Sequence, residues 1–227
     1  MITGVVLFPG AGTNANHQSL VAIETAINSA STKIKVARCD FEYRKAGKSF
    51  PDKTPVLIET VRKAIIQAAH DWGCAINQIV IGGRSMGGRM CSMAVAGFDG
   101  NDRNDRNDRS EGASQPADAP LQVGGLVCIS YPLHPPKQPA KLRIAHLPQV
   151  RVPALVLNAR NDPFVPASSL PAAQAVGPSV TLWQPPQGGH VGFPASLPPW
   201  GLPGHVRAMP EAVTHWLLSQ LSGASHG

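Results

Sequence analysis

This 227-residue chain lacks long hydrophobic runs and has few aromatic residues, which make up 5% of it. No uninterrupted apolar stretch approaches the roughly 20 residues that a helix needs to cross a bilayer, so we expect no membrane association. The N-terminus carries no cationic segment and breaks at Pro9 and Gly10, which predicts a first strand and not a secretion signal.

Cysteines are also scarce. The four that are present, Cys39, Cys74, Cys91 and Cys128, show neither CxxC nor zinc-like spacing. This pattern argues against a disulfide framework and predicts reduced core thiols in a cytoplasmic protein. No spacing of His, Cys and Asp residues suggests a metal site, and we expect neither a metal nor a cofactor.

Acidic residues are fewer than basic ones, 14 against 20, and the formal net charge is +6. Such a surplus can attract nucleic acid or an anionic substrate. The lysines and arginines are scattered, however, and form no basic stripe with interleaved aromatic residues. We interpret them as a solvated basic surface and expect a small-molecule substrate rather than a nucleic acid. The oligomeric state stays open.

Strand-like apolar runs alternate with helical patterns along the whole chain. This alternation predicts one α/β domain over residues 1–227, with a mostly parallel central sheet and helices on both faces. The predicted strands cover residues 4–8, 34–41, 78–82, 123–130, 152–159 and 179–184. Helical patterns fall around residues 20–27, after Thr54 as N-cap up to Gly73, over 86–96, near 167–176 and from Pro210 onward.

A threefold Asn-Asp-Arg repeat lies inside the polar stretch Asp99–Pro120. Because this stretch has almost nothing apolar to bury, we predict a flexible insertion. It follows the helix that leaves the motif described next, which places it at the end of the sheet opposite the carboxyl ends of the strands.

The segment Gly83-Arg84-Ser85-Met86-Gly87 matches G-x-S-x-G. An apolar strand ends directly before it and a helix begins directly after it, which is the setting of a strained turn that exposes a nucleophilic serine. Residues two positions before and after the serine must be small in such a turn. The alternative is a glycine-rich turn with an incidental serine.

A nucleophilic serine needs a base, and the base needs a carboxylate that orients it. Asp162 falls just past a predicted strand end, and His190 alone among eight histidines lies in a glycine-rich loop directly after a strand. We predict Ser85, Asp162 and His190 as a triad. The alternatives are a turn aspartate before Pro163 and a solvated loop histidine.

Backbone N–H groups should stabilise the oxyanion of such a site. We predict Met86, the residue after the serine, and Ala11, in the loop that follows the first strand. That same loop also reads as G-x-G-x-x-A from Gly10 to Ala15, with Asp40 ending a later strand, and so leaves a dinucleotide-binding protein as a less favoured alternative.

The proline-rich segment 131–153 follows a strand and so emerges at the predicted catalytic edge. It carries several basic side chains. We consider two interpretations: a small cover that shapes the acyl pocket and meets an anionic substrate, and a connection with a solvated basic face.

At "GGRSMGGR", "ISYPLHPP" and "NARNDPF" the chain resembles the α/β-hydrolase superfamily. It is most similar there to small bacterial proteins related to dienelactone hydrolases and to the testis-expressed, hydrolase-like animal proteins. The resemblance implies an eight-stranded sheet trimmed to its core, minimal or no cap domain, and Ser85, Asp162 and His190 as the triad. Pro9 stands where many members have a histidine, and Ser85 where dienelactone hydrolases proper have a cysteine.

These observations predict a serine hydrolase that cleaves a small ester or thioester through an acyl-enzyme on Ser85. Since some members of the superfamily are scaffold subunits, the second hypothesis is a hydrolase-shaped interaction protein with a silent site.

Overall fold

The computed structural model describes residues 1–98, 119–159, 162–165, 180–183 and 209–222. Its strands are β1 (Gly4–Phe8), β2 (Lys35–Arg38), β3 (Ile79–Arg84), β4 (Gly125–Ile129), β5 (Ala154–Leu157) and β6 (Val180–Trp183). Its α-helices are α1 (Gln18–Ala30), α2 (Glu42–Lys45), α3 (Thr54–Trp72), α4 (Met86–Ala96) and α5 (Met209–Ser222). Short 3₁₀ turns at Ile76–Gln78 and Leu147–Gln149 precede β3 and β5.

The six described strands form one parallel sheet in the order β2-β1-β3-β4-β5-β6. The sheet register brings Gly83 level with Phe8 of β1 on one side and with Cys128 of β4 on the other. Because all six strands run the same way, their carboxyl ends share one edge, where the loops carry the predicted site.

Both faces of the sheet are covered, as parallel sheets require. On one face α1 and α5 pack together over the strands, and on the other α3 packs against α4. Alternate residues of a strand accordingly enter different clusters: Val80 belongs to the α1–α5 side, and Ile81 to the α3–α4 side. Near-continuous apolar strands are therefore the expected pattern, and β1 and β4 are buried at all five positions.

All six predicted strands are confirmed, with ends shifted by a few residues. Helix α4 matches its predicted bounds, and α1 buries the predicted stripe of Leu20, Ile23 and Ile27. The N-cap prediction was wrong by one residue, since Lys53 holds that position and Thr54 is already helical, with Pro55 in the first turn. Left-handed Gly73 ends α3 as predicted.

The sequence did not predict α2, because one helical turn is too short to show a periodic pattern. The predicted helix near 167–176 and all but the last two residues of the predicted insertion lie outside the described residues. Among the described helices, none has the length and apolar character that a membrane crossing would need.

Candidate active site

Ser85 forms the turn between β3 and α4 in a conformation that non-glycine residues rarely adopt. Its backbone angles are φ 51° and ψ −116°, in the region where a Cβ crowds the neighbouring peptide units. The surrounding strands hold this conformation, because the Ser85 N–H donates to the Ile129 carbonyl of β4 (2.7 Å). The turn therefore places a serine at the carboxyl edge of the sheet, where β3 meets the start of a helix.

The glycines on either side of Ser85 let the end of β1 lie directly against this turn. A Cβ at Gly83 would come within 2.3 Å of the Phe8 carbonyl oxygen, and one at Gly87 within 2.4 Å of the same atom. Gly82 and Gly88 have a different role, since a Cβ there would meet the backbone of Val127 and Gly83 respectively. The motif therefore requires glycine at positions 83 and 87 because the backbone at the end of β1 leaves no space for a Cβ. Gly82 and Gly88 are explained by close packing of β3 and α4 against neighbouring backbone.

The loop after β1 runs past the serine. A Cβ at Gly10 would lie 3.4 Å from the Ser85 Cβ and 3.2 Å from Nη1 of Arg84, so the loop backbone lies close to the serine there. The loop turns back on itself, since both the N–H and the hydroxyl of Thr13 donate to the Gly10 carbonyl. At Gly12, by contrast, a Cβ would meet nothing within 4 Å.

Two residues from the segment after β2 hold this loop in place. The Tyr43 hydroxyl on α2 donates to the Ala11 carbonyl (2.7 Å), and Oδ1 of Asp40 accepts the Ala15 N–H (2.7 Å). Tyr43 is buried and stacks on Phe41. The Ala11 N–H shares its planar peptide group with the Gly10 carbonyl, which Thr13 holds, while Tyr43 holds the next peptide group along the loop. Together these contacts preorganise the predicted oxyanion donor.

The two predicted oxyanion donors border the same cavity as Ser85. Met86 is the first residue of α4, where an N–H has no acceptor within the helix and carries the positive end of the helix dipole. No hydrogen bond from the N–H of Ala11 or Met86 occurs within the described part of the chain. Both groups are thus available to an oxygen bound beside the serine.

Asp162 lies at the same edge, after β5, and is 3% exposed. Its Oδ1 accepts the Phe164 N–H (2.9 Å), and its backbone carbonyl accepts the Val165 N–H. This turn geometry is the one expected of an aspartate before proline, and it also holds the carboxylate in one orientation. The two interpretations of Asp162 therefore describe the same geometry and are compatible.

Arg84 links Asp162 to the turn electrostatically. Its side chain is 6% exposed, and burial lowers the pKa of the guanidinium while the negative charge of Asp162 acts in the opposite direction. Burial and then the Arg84 charge lower the pKa of His17, which caps α1. The residue next to Ser85 therefore lies within electrostatic range of the predicted triad carboxylate.

The cavity beside Ser85 has a volume of about 350 Å³, which suits a small ligand. Its described lining includes Ala11, Ser85, Met86, Arg89, Arg143 and Phe164. The segment 131–153 contributes Arg143 and two prolines, so it does shape this cavity. Lys137 and its neighbours up to Ala140 are exposed, so the alternative of a solvated basic face also describes part of the segment.

A larger groove of about 870 Å³ runs along β2 and α3, away from Ser85. Acidic and basic side chains are mixed along its walls, and its one thiol belongs to Cys39. Burial raises the pKa of Cys39, which makes that thiol a poor nucleophile at neutral pH. The described lining of the groove therefore offers no activated nucleophile. The smaller cavity beside Ser85 is the better candidate for an active site.

A serine–histidine pair lies in the core, where the sequence did not predict one. Oγ of Ser92 is 2.8 Å from Nε2 of His146, and both residues are fully buried. The Ser92 hydroxyl donates its single proton to the Arg89 carbonyl (2.8 Å), so the histidine must supply the proton between the two side chains. Burial, and then the Arg89 charge, lower the pKa of His146 to about 3. A histidine that presents N–H to the serine cannot deprotonate it.

The five histidines in the described residues have contacts of their own. His17 binds Ser19, His70 lies beside Asp71 on the exposed side of α3, and both ring nitrogens of His134 face proline carbonyls. His146 belongs to the buried pair, and His215 lies on α5. His190, the predicted base, lies outside the described residues.

The alternative of a dinucleotide fingerprint does not fit the loop geometry. Helix α1 begins at Gln18 with His17 as its cap, several residues beyond the point where the fingerprint glycines should open the helix. The Asp40 carboxylate, which that reading assigns to a ribose, holds the Ala15 N–H instead. In the described residues, no group of three or more His, Cys, Asp or Glu gathers as a metal site would.

Comparison with known families agrees with this fold. Residues 2–193 match the family described as the alpha/beta hydrolase domain. The match spans most of the chain, and the protein therefore belongs to the α/β-hydrolase family.

Solved structures of three such proteins share the fold. Est1E from Butyrivibrio proteoclasticus is 14% identical with a TM-score of 0.62, over 97% of this chain and 89% of that chain. The dienelactone hydrolase from Anabaena variabilis is 18% identical with a TM-score of 0.61, over 98% and 87%. An alpha-beta serine hydrolase homologue from Coxiella burnetii is 16% identical with a TM-score of 0.58, over 84% and 77%. At these identities the likeness concerns the fold.

Proposed function

We propose that this protein is a serine hydrolase that cleaves a small ester or thioester through an acyl-enzyme formed on Ser85. The observation that carries the proposal is the left-handed conformation of Ser85 at the cavity that Ala11 and Met86 also line. Ser130 has the same φ of 51° but is buried, whereas Ser85 combines this conformation with a position at the cavity, as a nucleophile that projects from its strand requires.

In the proposed reaction the Ser85 hydroxyl attacks the ester carbonyl while His190 takes its proton. The N–H groups of Ala11 and Met86 donate to the oxygen that becomes negative. His190 then delivers the proton to the leaving alcohol or thiol, and the carbonyl reforms as an acyl-enzyme. Water, deprotonated by the same histidine, releases the acid and restores Ser85.

Asp162 is proposed to hold the His190 imidazole in the required tautomer. Its burial and its fixed orientation support this role, as does its position after β5, the strand that pairs with β6. The chain from Trp183 to His190 is short, and β6 ends at the same edge as β5. His17, His134 and His146 hydrogen-bond with groups other than Ser85, which also supports His190 as the base.

The four cysteines are free thiols, and Cys91 and Cys128 are buried with raised pKa values. This supports the proposal that the enzyme works in a reducing compartment such as the cytoplasm. The small cavity supports a small-molecule substrate.

Labelling with a fluorophosphonate probe, followed by peptide mass mapping, tests the proposal. We expect a single adduct on Ser85 in the wild-type protein and none in Ser85→Ala. Ser92→Ala is the matched control, because Ser92 lies on the helix that follows Ser85 and contacts a histidine, His146, and this variant should label normally. A correctly folded wild-type protein that takes no label would support the silent scaffold instead.

A further inference from the structure

One buried histidine, His134, has no part in the reaction proposed above. It follows β4 in the segment 131–153 and is 4% exposed. Both of its ring nitrogens face carbonyl oxygens of prolines: Nδ1 lies 2.7 Å from that of Pro135, and Nε2 lies 3.1 Å from that of Pro163. The first contact is local, whereas the second joins positions that are 29 residues apart in the chain.

The two partners determine which atoms of the His134 ring donate. A carbonyl oxygen only accepts, so each contact is a hydrogen bond only with a proton on the facing ring nitrogen. A neutral imidazole carries one such proton and satisfies one carbonyl, whereas an imidazolium satisfies both. Nε2 of His134 is therefore the donor in the contact with Pro163.

The carbonyl of Pro163 belongs to the peptide group that also holds the Asp162 side chain. A peptide group is planar, and this one joins the Pro163 oxygen to the N–H of Phe164. That N–H donates to Oδ1 of Asp162 (2.9 Å). One rigid unit therefore accepts from Nε2 of His134 at one end and donates to the Asp162 carboxylate at the other.

The same segment holds the next peptide group as well. The Leu133 N–H donates to the Phe164 carbonyl (3.1 Å), and the ring centroids of His134 and Phe164 lie 5.8 Å apart. Phe164 also lines the cavity beside Ser85. Two consecutive residues of the segment, Leu133 and His134, thus fasten both peptide groups that flank Phe164.

The backbone hydrogen bonds inside the turn do not replace this contact. The Asp162 N–H donates to the Ala159 carbonyl (3.1 Å), and the Val165 N–H donates to the Asp162 carbonyl (2.9 Å). Neither bond involves the Asp162 carboxylate or the oxygen of Pro163. A rotation of the Pro163–Phe164 peptide group would withdraw the N–H from Asp162, and the bond to Nε2 of His134 opposes that rotation.

We propose that His134 is a positioning residue that holds the carboxylate of Asp162 through the Pro163–Phe164 peptide group. This inference rests on the proposed function, in which Asp162 orients the catalytic base. Donation to the peptide oxygen also polarises the peptide group and so strengthens the hydrogen bond that its N–H makes with Asp162. Since a displaced carboxylate aligns the base poorly, loss of this contact should lower kcat more than it raises KM.

Two substitutions of His134 separate its two contacts. The amide nitrogen of Asn lies as many bonds from Cα as Nδ1 of histidine, and that of Gln as many as Nε2. His134→Asn therefore keeps a donor for Pro135 and loses the contact with Pro163, whereas His134→Gln keeps a donor for Pro163. With p-nitrophenyl acetate, kcat should fall roughly 10- to 100-fold in His134→Asn and stay within about threefold in His134→Gln, with KM within about threefold in both.

The pH profile distinguishes positioning from general loss of structure. In His134→Asn the acidic limb of kcat/KM should move to lower pH, because a poorly placed carboxylate stabilises the protonated base less. Circular dichroism and urea unfolding give the folded fraction by which each kcat is divided. His146→Asn is the matched control, because this buried histidine of the same segment contacts Ser92 and Tyr131 and its variant should keep both kcat and the profile.

Equal kcat values for the folded His134→Asn and His134→Gln proteins would overturn the inference, and so would an acidic limb that does not move in His134→Asn. Normal labelling of wild-type Ser85 beside either result separates this failure from failure of the proposed function. A wild-type protein that neither labels nor turns over the ester would instead refute the proposed function.

The wild-type protein supplies a measurement that needs no variant to fold. Nitrogen NMR of the histidine-labelled protein should show Nε2 of His134 protonated, with a hydrogen that exchanges slowly with water because the residue is buried. His134→Gln or, if needed, His134→Phe identifies the signal by its loss. An unprotonated Nε2 would contradict the proposed hydrogen bond to Pro163, whatever the activity of the protein.

Discussion

Ser85 and Ser92 lie seven residues apart at the start and in the middle of the same helix, yet their surroundings differ in every respect that matters to reactivity. Ser85 has a positive φ and borders a cavity. The same cavity is lined by Met86, at the start of the helix, and by Ala11, in the loop after β1, whose N–H groups are the predicted oxyanion donors. Ser92 has helical geometry, no exposure, and a hydroxyl proton donated to the Arg89 carbonyl. Ser92 nevertheless lies 2.8 Å from a histidine nitrogen, that of His146.

The difference shows that a serine–histidine contact alone does not define a nucleophile. The histidine must present a bare nitrogen, and the serine must face a space where a carbonyl can bind next to hydrogen-bond donors. His146 meets neither need. Since the Ser92 hydroxyl donates to the Arg89 carbonyl, Nε2 of His146 is left as the donor to Ser92, and the surroundings of both residues are closed. We interpret the Ser92–His146 pair as a structural brace for the segment that carries Arg143.

The largest expected effect separates the two serines by activity. Ser85→Ala should lower kcat for short p-nitrophenyl esters by roughly 10⁴-fold or more, because the nucleophile is lost. Ser92→Ala should keep kcat within about threefold and lower the free energy of unfolding by about 2 kcal/mol, since it removes two buried hydrogen bonds, those of the hydroxyl with the Arg89 carbonyl and with His146. Steady-state kinetics and urea unfolding on both variants check this. A loss of turnover in Ser92→Ala that matches Ser85→Ala would reverse the assignment.

The next effect concerns the conformation that exposes Ser85. Gly87→Ala should lower the free energy of unfolding by about 3 kcal/mol, because the new Cβ would lie 2.4 Å from the Phe8 oxygen and 2.6 Å from the Pro9 oxygen. Both neighbours are backbone atoms and cannot rotate away. Gly12→Ala is the matched control, since its Cβ meets nothing within 4 Å. Equal urea midpoints for the two variants would contradict the steric account of the turn.

The smallest effect tests the protonation of the buried pair. His146 has a folded pKa of about 3 against a reference value of 6.5, so the unfolded chain binds its proton first as the pH falls. The protein should therefore lose stability from this group between pH 6.5 and pH 3, by about 2 kcal/mol at pH 5 relative to neutral pH.

Urea unfolding at pH 7.5 and pH 5.0 measures this loss, and His146→Gln should show a smaller difference between the two conditions. Gln keeps an amide that can donate to Ser92 but does not titrate. The same dependence in the variant as in the wild type would show that His146 does not titrate as described. The opposite sign, with greater stability at pH 5.0, would mean that the folded protein holds the charged imidazole.

The sheet could be predicted because each strand is a short apolar run followed by a turn signal. Helix α4 was predicted over its full length for a related reason, since the motif sets its start and Gly97 its end. The one-turn helix α2 could not be predicted, although Tyr43 on it fixes the loop of Ala11. A single turn offers no periodicity, and the partner of Tyr43 lies 32 residues away.

For the candidate site too, the sequence supports predictions only where the signal is local. The motif predicts Ser85 and Met86, and a strand end predicts Asp162, because these signals are local. Arg89 could have been noticed as a basic residue one turn after Ser85 on a helix of otherwise small and apolar residues. The approach of Arg143 to the same cavity depends on hydrogen bonds with Leu133 and Tyr131, which no spacing along the chain reveals.

The amino-acid sequence alone determined the alternation of strands and helices, the strained turn and the glycines that it needs. These features depend on backbone preferences and on residues within a few positions of one another. Only the tertiary structure decided which serine faces a cavity, which histidine is buried with its proton toward a serine, and which arginines share a wall. Those properties depend on burial and on distances between residues that are remote in the chain, and a linear pattern contains neither quantity.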